Sequence, residues 1–288
     1  MKIAVASGKG GTGKTTVATC LAWTARQQGR DVLYLDCDVE EPNAHLFLKP
    51  DITETRKLTI PFPDVDESRC TACGECDRIC QFSAIIVMGG KCMTFPDMCH
   101  ACGGCMLACP EKCITEKQRE VGVLETGVAL GGAAFVHGLL RVGEALSVPL
   151  IREVKKAAWA QAHDLVIMDS PPGTSCPVIA TVRDCDYVLL VTEPTPFGLH
   201  DLGLAADMVR ALKLPTGVVI NRAGGDDGLA LRFCREHDLP VIAEIPEDRK
   251  VAQAYSRGLL PVEAVPETQQ VFQVILAAVE SAAKEAAL

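Results

Sequence analysis

The stretch GKGGTGKTT, residues 8–16, lies directly after a short apolar run, KIAVAS, at residues 2–7. The pattern GxxxxGK[ST] is met by Gly8, Gly13, Lys14 and Thr15. The following segment, TTVATCLAWTARQQG, has the length and the terminal glycine of a helix. A glycine-rich loop between a strand and a helix points backbone N–H groups at phosphates, while the lysine neutralises charge and the threonine hydroxyl binds Mg²⁺. The stretch therefore predicts a nucleotide-binding α/β domain.

Strand-like and helix-like segments alternate along most of the chain. After the first run, the apolar runs are DVLYLDCD (31–38), DLVIMDS (164–170), DYVLLVTEP (186–194), TGVVINR (216–222) and VIAEIP (241–246). Segments 150–162 and 267–288 have the composition and length of helices. Such alternation predicts a parallel sheet covered by helices. We expect this domain to comprise residues 1–60 and 120–288, with an insert at residues 61–119.

Composition excludes several classes of protein. The 288 residues are 48% hydrophobic, which is ample for a packed core. The N-terminal apolar run is too short for a signal peptide, and no run of 18 apolar residues occurs, so we expect a cytoplasmic protein without a membrane partner. A formal net charge of −9 and 5% aromatic residues disfavour nucleic acid as a partner.

Cysteines are concentrated in the predicted insert. Ten of the 15 lie between Cys70 and Cys113. Because the cytoplasm keeps thiols reduced, this concentration favours metal ligation over disulfides. The segment PFPDVDES (61–68) is predicted to be a linker into the insert. The glycine-rich segment at residues 126–143 is compatible with a hairpin, a mobile connection or a contact surface.

Two runs of cysteines form an internal duplication. CTACGECDRIC (70–80) recurs 29 residues later as CHACGGCMLAC (99–109). The spacing CxxCxxCxxxC resembles that of bacterial ferredoxins, whereas structural zinc sites have separated ligand pairs. The resemblance implies a ferredoxin-like α+β insert with two [4Fe–4S] clusters and crossed ligation. One cluster would be held by Cys70, Cys73, Cys76 and Cys109, and the other by Cys99, Cys102, Cys105 and Cys80.

The remaining seven cysteines are predicted to pack as small hydrophobic residues. Cys113 and Cys92 coincide in the repeat with Ala84 and Pro63, so neither is expected to be a ligand. The other five are Cys20, Cys37, Cys176, Cys185 and Cys234. For Cys176, which follows the segment DSPPG, a functional thiol near a nucleotide-sensitive loop is a second interpretation.

The segment KGGTGKTT (9–16) resembles the deviant Walker A motif of the MinD, ParA, Mrp and nitrogenase iron protein group of P-loop ATPases. DSPPGTSCPV (169–178) and EPTPFGLHDL (193–202) also match this group. The resemblance implies an ATP-dependent homodimer in which Lys9 reaches the partner's nucleotide. The predicted nucleotide-binding loop is Gly8, Lys9, Gly10, Gly11, Thr12, Gly13, Lys14, Thr15 and Thr16.

Acidic and polar residues at strand ends complete the predicted nucleotide site. Asp169 ends an apolar strand and is expected to bind Mg²⁺ together with Thr15. By resemblance, Asp38 orients the attacking water, and the predicted catalytic residues are Lys9, Lys14 and Asp38. The resemblance also implies that Asn221 and Pro246 border the adenine of ATP or ADP.

The combined features predict an ATPase that couples its nucleotide state to an iron–sulfur insert. In the first hypothesis, the protein assembles or delivers a metal or iron–sulfur cluster to a small acceptor metalloprotein. In the alternative, both clusters stay bound and an ATP-gated electron transfer reduces a redox partner. A positioning ATPase on a membrane or on DNA is disfavoured, because the C-terminal segment has no basic amphipathic face.

Overall fold

The structure, a computed structural model, describes residues 1–224 and 228–286. Within these residues the strands are β1 (Lys2–Ala6), β2 (Val32–Asp36), β3 (Asp51–Val65), β4 (Ile85–Met88), β5 (Lys91–Thr94), β6 (Ile114–Ala129), β7 (Ala133–Leu140), β8 (Leu165–Asp169), β9 (Tyr187–Thr192), β10 (Thr216–Ala223) and β11 (Val241–Pro246). The helices are α1 (Lys14–Gln27), α2 (Ala44–Leu48), α3 (Glu75–Ile79), α4 (Gly104–Ala108), α5 (Val148–Ala160), α6 (Cys176–Val182), α7 (Pro196–Ala211), α8 (Gly228–Glu236), α9 (Arg249–Ser256), α10 (Pro261–Ala264) and α11 (Gln269–Ala286). The predicted terminal helix is α11, and its expected last residues, 287 and 288, lie outside the described residues.

The chain divides into two compact units. The first unit is Met1–Thr55, Leu124–Leu139 and Ile151–Leu288, and the second unit is Arg56–Val123 and Leu140–Leu150. Sequence analysis did not group the segment Leu140–Leu150 with the insert. Within the second unit, the guanidinium of Arg119 pairs with the buried carboxylate of Glu144, and the Arg141 N–H donates to the Val121 carbonyl at 2.9 Å. These long-range contacts attach the segment to the second unit.

Among the described residues, the large sheet has the strand order β11-β10-β9-β1-β8-β2-β7-β6-β3. The pairs from β11 to β7 are parallel. The predicted α/β fold with a mostly parallel sheet is therefore confirmed. Val5 of β1 and Asp36 of β2 both align with Asp169 of β8. The carboxyl ends of these three strands thus meet at one edge, directly before the glycine-rich loop.

The core of the first unit explains why these segments form this sheet. The central strands β8 and β9 are fully buried and apolar except for their last residues, Asp169 and Thr192, as expected for strands covered on both faces. Val17 and Leu21 of α1 share one buried apolar cluster with Ile275 and Val279 of α11. In the same cluster the ring of Tyr34 stacks on Phe135 at a centroid distance of 6.0 Å.

Two sequence interpretations are settled by the strands β3 and β6. The linker predicted at residues 61–68 is wrong, because β3 continues to Val65. The β-branched residues of ITETRKLTI (52–60) favour an extended strand, and this signal was overlooked. Residues 126–143 contain a hairpin, since β6 and β7 are joined by a tight turn in which the Gly132 N–H donates to the Ala129 carbonyl at 3.0 Å.

The backbone of the second unit shows the same 29-residue repeat as its sequence. Helices α3 and α4 begin 29 residues apart, at Glu75 and Gly104, and each follows a glycine with positive φ. β4 and β5 pair antiparallel. Across the described residues of the whole chain, none of the helices is long and apolar enough to span a membrane.

Candidate nucleotide site and cysteine cavities

The glycine-rich loop connects β1 to α1 as the sequence predicts. Gly13 precedes the helix with φ +94°, and a Cβ atom there would lie 2.3 Å from the Asn221 amide nitrogen. Only glycine fits both the conformation and the space. The Asn221 side chain donates a hydrogen bond to the Thr12 carbonyl at 2.8 Å. Lys14 and Thr15 are buried in the first turn of α1, where free N–H groups and the helix dipole favour an anion.

Asp169 lies beside this turn at the end of β8. Its carboxylate is fully buried, and one oxygen, Oδ2, accepts a hydrogen bond from the Tyr34 hydroxyl at 3.2 Å. The other oxygen, Oδ1, has no hydrogen-bond partner among the described residues. Burial raises the pKa of Asp169, whereas the charge of Lys14 and the neighbouring hydroxyl of Thr15 lower it. A buried oxygen without a partner next to Thr15 suits a divalent cation.

The two aspartates at the end of β2 have different surroundings. Asp36 is fully buried, and its carboxylate accepts the backbone N–H groups of Asp38 and Ala44, each at 3.1 Å. It therefore shapes the loop that carries Asp38. Asp38 itself is half-buried; burial raises its pKa to about 6, opposed by the charge of Lys14. Of the two carboxyl groups, that of Asp38 is therefore the more accessible, and sequence reasoning could not say which aspartate shapes the loop.

Lys9 is held by a carboxylate of the same chain. Its Nζ atom lies 3.5 Å from Glu193, which follows β9 and also pairs with Arg222. The Lys9 side chain is about one-third exposed. Glu193 was not predicted as part of the site, and its contact with Lys9 depends on the β1–β9 pairing that only the sheet order reveals.

One large cleft of the first unit joins the loop to the strand ends near Asn221 and Pro246. It is lined by loop residues from Gly11 to Thr16 and by residues from β10 to α11. The aromatic rings of Tyr255 and Phe272 also line it. Sequence analysis predicted neither ring as part of the nucleotide site, since an aromatic residue in a helix is more commonly part of a core. Phe272 also belongs to the buried apolar cluster of the first unit.

The eight repeat cysteines fall around two cavities of the second unit. The first cavity is lined by Cys70, Cys73, Cys76 and Cys109. The second cavity is lined by Cys80, Cys99, Cys102 and Cys105. Each cavity therefore combines three cysteines of one run with the last cysteine of the other run. The distribution follows the crossed grouping expected from the ferredoxin resemblance.

Two further thiols line the first cavity. Cys92 Sγ lies 3.7 Å from Cys76 Sγ, and Cys113 Sγ lies 3.5 Å from Cys109 Sγ. Sequence analysis assigned both residues to packing and missed these contacts. Cys176, predicted to pack in the core, is instead exposed, because it starts α6 at the surface.

The spacing of these thiols distinguishes between two kinds of metal site, a single zinc ion and an iron–sulfur cluster. Among the residues that the structure describes, no group of three or more His, Cys, Asp or Glu side chains is arranged around a single metal ion. A [4Fe–4S] cluster carries one thiolate on each of four irons, so its ligands stand further apart than the tetrahedral ligands of one zinc ion. Four thiols spread around a cavity fit a cluster better than they fit zinc.

The sequence profile of the CbiA family, described as the CobQ/CobB/MinD/ParA nucleotide binding domain, matches residues 3–262. The chain belongs to this family. Family membership together with the intact GxxxxGK[ST] loop makes it a P-loop ATPase of the MinD type.

Several proteins are similar to this chain in sequence or in fold. The chain is 33% identical over 249 residues to the uncharacterized protein MJ0578 of Methanocaldococcus jannaschii, covering 86% of this chain and 87% of that protein. It is 25% identical to an iron-sulfur cluster carrier protein of Pyrococcus horikoshii, over 90% of this chain and 78% of that one. The cell division ATPase MinD of Pyrococcus furiosus superposes with a TM-score of 0.60 at 22% identity, covering 97% of this chain and 98% of that chain. This last likeness supports the MinD-like fold.

Proposed function

We propose that this ATPase is an iron–sulfur protein that couples its nucleotide state to the assembly or delivery of a metal or iron–sulfur cluster to a small acceptor metalloprotein. The observation that carries the proposal is the division of the eight repeat cysteines between two cavities, four in each. Similarity to iron-sulfur cluster carrier proteins gives it independent support.

Residues 61–119 would form a ferredoxin-like insert with two [4Fe–4S] clusters. Cys70, Cys73, Cys76 and Cys109 would hold the first cluster, and Cys99, Cys102, Cys105 and Cys80 the second. When bound, the clusters would supply either electrons for transfer or the iron–sulfur cargo that is delivered. The protein's part is to supply thiolates, an apolar surrounding and limited access for water.

The nucleotide site would hold Mg-ATP in the cleft of the first unit. Residues Gly8 to Thr16 would bind the phosphates, Thr15 and Asp169 the Mg²⁺, and Asn221 and Pro246 would border the adenine. Asp38 would orient the attacking water, helped by its raised pKa, which suits a group that exchanges a proton near neutral pH.

Lys9 would act in a homodimer. A lysine beside the loop supplies positive charge where negative charge develops on the transferred phosphate. In the single chain this charge is paired with Glu193. We propose that dimerisation with bound ATP exchanges this partner for the phosphates of the other subunit.

An ATP-gated electron donor is the second candidate function. It is favoured by the fact that each cavity has four cysteines of the repeat, a complete ligand set for a stably bound cluster. In this function electrons leave to a redox partner and the iron remains.

One experiment separates the two functions. The anaerobically reconstituted protein is reduced and mixed with Mg-ATP, Mg-ADP or no nucleotide, in the presence of a ferrous-iron chelator or an oxidised viologen dye. Delivery predicts that Mg-ATP changes the rate of iron release to the chelator. Electron donation predicts nucleotide-dependent dye reduction while all the iron stays bound. A protein that takes up no iron and sulfide at all would contradict both functions.

A further inference from the structure

The 29-residue repeat relates the two cysteine cavities position by position. Ala72 and Ala101 both adopt positive φ, at 53° and 58°, between the first and second cysteines of their runs. The same offset relates a pair of backbone hydrogen bonds, from Phe95 N–H to the Ala84 carbonyl and from Asp66 N–H to the Cys113 carbonyl, both at 2.8 Å. Each residue around one cavity therefore has a defined counterpart around the other.

The two cavities differ at two of these equivalent positions. Cys113 of the first cavity corresponds to Ala84 of the second, and Cys92 corresponds to Pro63. Both counterparts line the second cavity, so the equivalence holds in the structure as well as in the sequence. At these six equivalent positions, the first cavity has six thiols, whereas the second has four thiols and two apolar side chains. An alanine and a proline fill these positions in the second cavity, so packing alone does not require a thiol there.

The extra thiols lie against particular ligands. Cys113 Sγ is 3.5 Å from Cys109 Sγ, and Cys92 Sγ is 3.7 Å from Cys76 Sγ. Each pair is close enough that a small rotation of side chains would bring the extra thiol to the place of its neighbour. Cys113 is buried, with 3% of its surface exposed, and Cys92 is partly buried.

We propose that Cys113 and Cys92 are reserve ligands of the first cavity, able to replace Cys109 and Cys76 as iron ligands. In each exchange one iron–sulfur bond breaks and another forms, and the incoming thiol gives up a proton while the outgoing thiolate takes one up. No electron is transferred. The first cavity is then the exchangeable site and the second cavity the permanent one. This inference rests on the proposed iron–sulfur function and names the site from which a cluster leaves.

The test compares two equivalent substitutions in the full-length protein. Cys109→Ala and Cys80→Ala each remove the last cysteine of a run, but only Cys109 has a thiol beside it. After anaerobic reconstitution, we expect Cys109→Ala to retain about eight irons per chain and Cys80→Ala to fall to about four. Cys109→Ala/Cys113→Ala should fall to about four as well. Unchanged ADP binding serves as the control that each variant is folded.

Paramagnetic resonance identifies what is retained. A first cavity that keeps only a three-iron cluster, alike in the single and the double variant, would show that Cys113 does not replace Cys109 and would overturn the inference. Equal loss of iron in Cys109→Ala and Cys80→Ala would overturn it too. In either case a wild type with about eight irons leaves the proposed function intact, whereas a wild type without iron contradicts that function itself.

A gain-of-ligand variant tests the same idea at the other cavity. Ala84→Cys introduces, beside Cys80, the thiol that Cys113 provides beside Cys109. In the Cys80→Ala background we expect Ala84→Cys to restore the iron content to that of wild type. No restoration, with ADP binding intact, would contradict the inference without depending on the stability of any variant of Cys109.

Discussion

The nucleotide cleft and the cysteine cavities are assembled in different ways. The cleft gathers Lys14, Asn221 and Pro246 from segments more than 200 residues apart, because parallel strands end at one edge of the sheet. The cavities gather their thiols from two runs within 40 residues of one another, because a local repeat folds each run around a short helix. Substitutions at one site should therefore leave the chemistry of the other unchanged, except through nucleotide-dependent coupling.

Lys14→Ala gives the largest expected effect. The variant loses the charge that neutralises the β- and γ-phosphates, so we expect ATP hydrolysis to fall by more than about 10³-fold. Its iron content after reconstitution should equal that of the wild type. Lys156→Ala, at an exposed lysine of the first unit, is the matched control and should hydrolyse ATP normally. Loss of iron in Lys14→Ala would break the separation of the two regions.

Lys9→Ala tests the proposed subunit interface in addition to the nucleotide cleft. If Lys9 supplies charge to the partner's nucleotide, hydrolysis should fall by roughly 10³-fold, the lower end of the effect of charges supplied in trans. ADP binding to the monomer should change little, since Lys9 is paired with Glu193 in the single chain. Sedimentation with a non-hydrolysable ATP analogue measures dimerisation. Normal hydrolysis and dimerisation by the variant would remove Lys9 from the mechanism.

Asp38→Asn tests how much the partly buried charge of Asp38 destabilises the folded state. The pKa of Asp38 is raised from 3.8 to about 6, mainly by burial, so ionisation destabilises the folded state above pH 6. At pH 7.5, without nucleotide, we expect the free energy of unfolding of the variant to exceed that of the wild type by on the order of 2 kcal/mol. The gain should shrink as the pH falls below 6, because the wild-type carboxyl becomes protonated in the folded state at a higher pH than in the unfolded chain. Denaturant unfolding at pH 7.5 and 4.5 measures it, and a gain independent of pH would contradict the assignment.

Asn221→Ala gives the smallest expected effect. The variant loses the hydrogen bond from the amide to the Thr12 carbonyl, worth about 1 kcal/mol. We expect a lower stability of this size and weaker ADP binding, measured by calorimetry, with the same iron content as wild type. Asn43→Ala is a control at another asparagine of the cleft, which donates no side-chain hydrogen bond to the glycine-rich loop among the described contacts. Equal effects of both substitutions would show that the contact with Thr12 is not what matters.

The sequence by itself determined the features that depend on local spacing. The loop from Gly8 to Thr16 and the strand and helix on either side of it follow from glycines and a lysine at fixed intervals. The parallel sheet follows from short, wholly apolar runs separated by helical segments, and the cysteine repeat follows from an offset that the backbone reproduces. These patterns are readable because each is set by neighbours along the chain.

Only the tertiary structure decided which distant groups meet. The roles of Asp36 and Asp38 differ because Asp36 is buried beside Asp169 and accepts N–H groups of its own loop. The pairing of Lys9 with Glu193 depends on the adjacency of β1 and β9. Cys92 and Cys113 look like isolated apolar residues in the sequence, because the spacing of ligand motifs carries no information about thiols outside them. Their contacts with Cys76 and Cys109 arise when the repeat folds and brings β5 and the start of β6 against the first cavity.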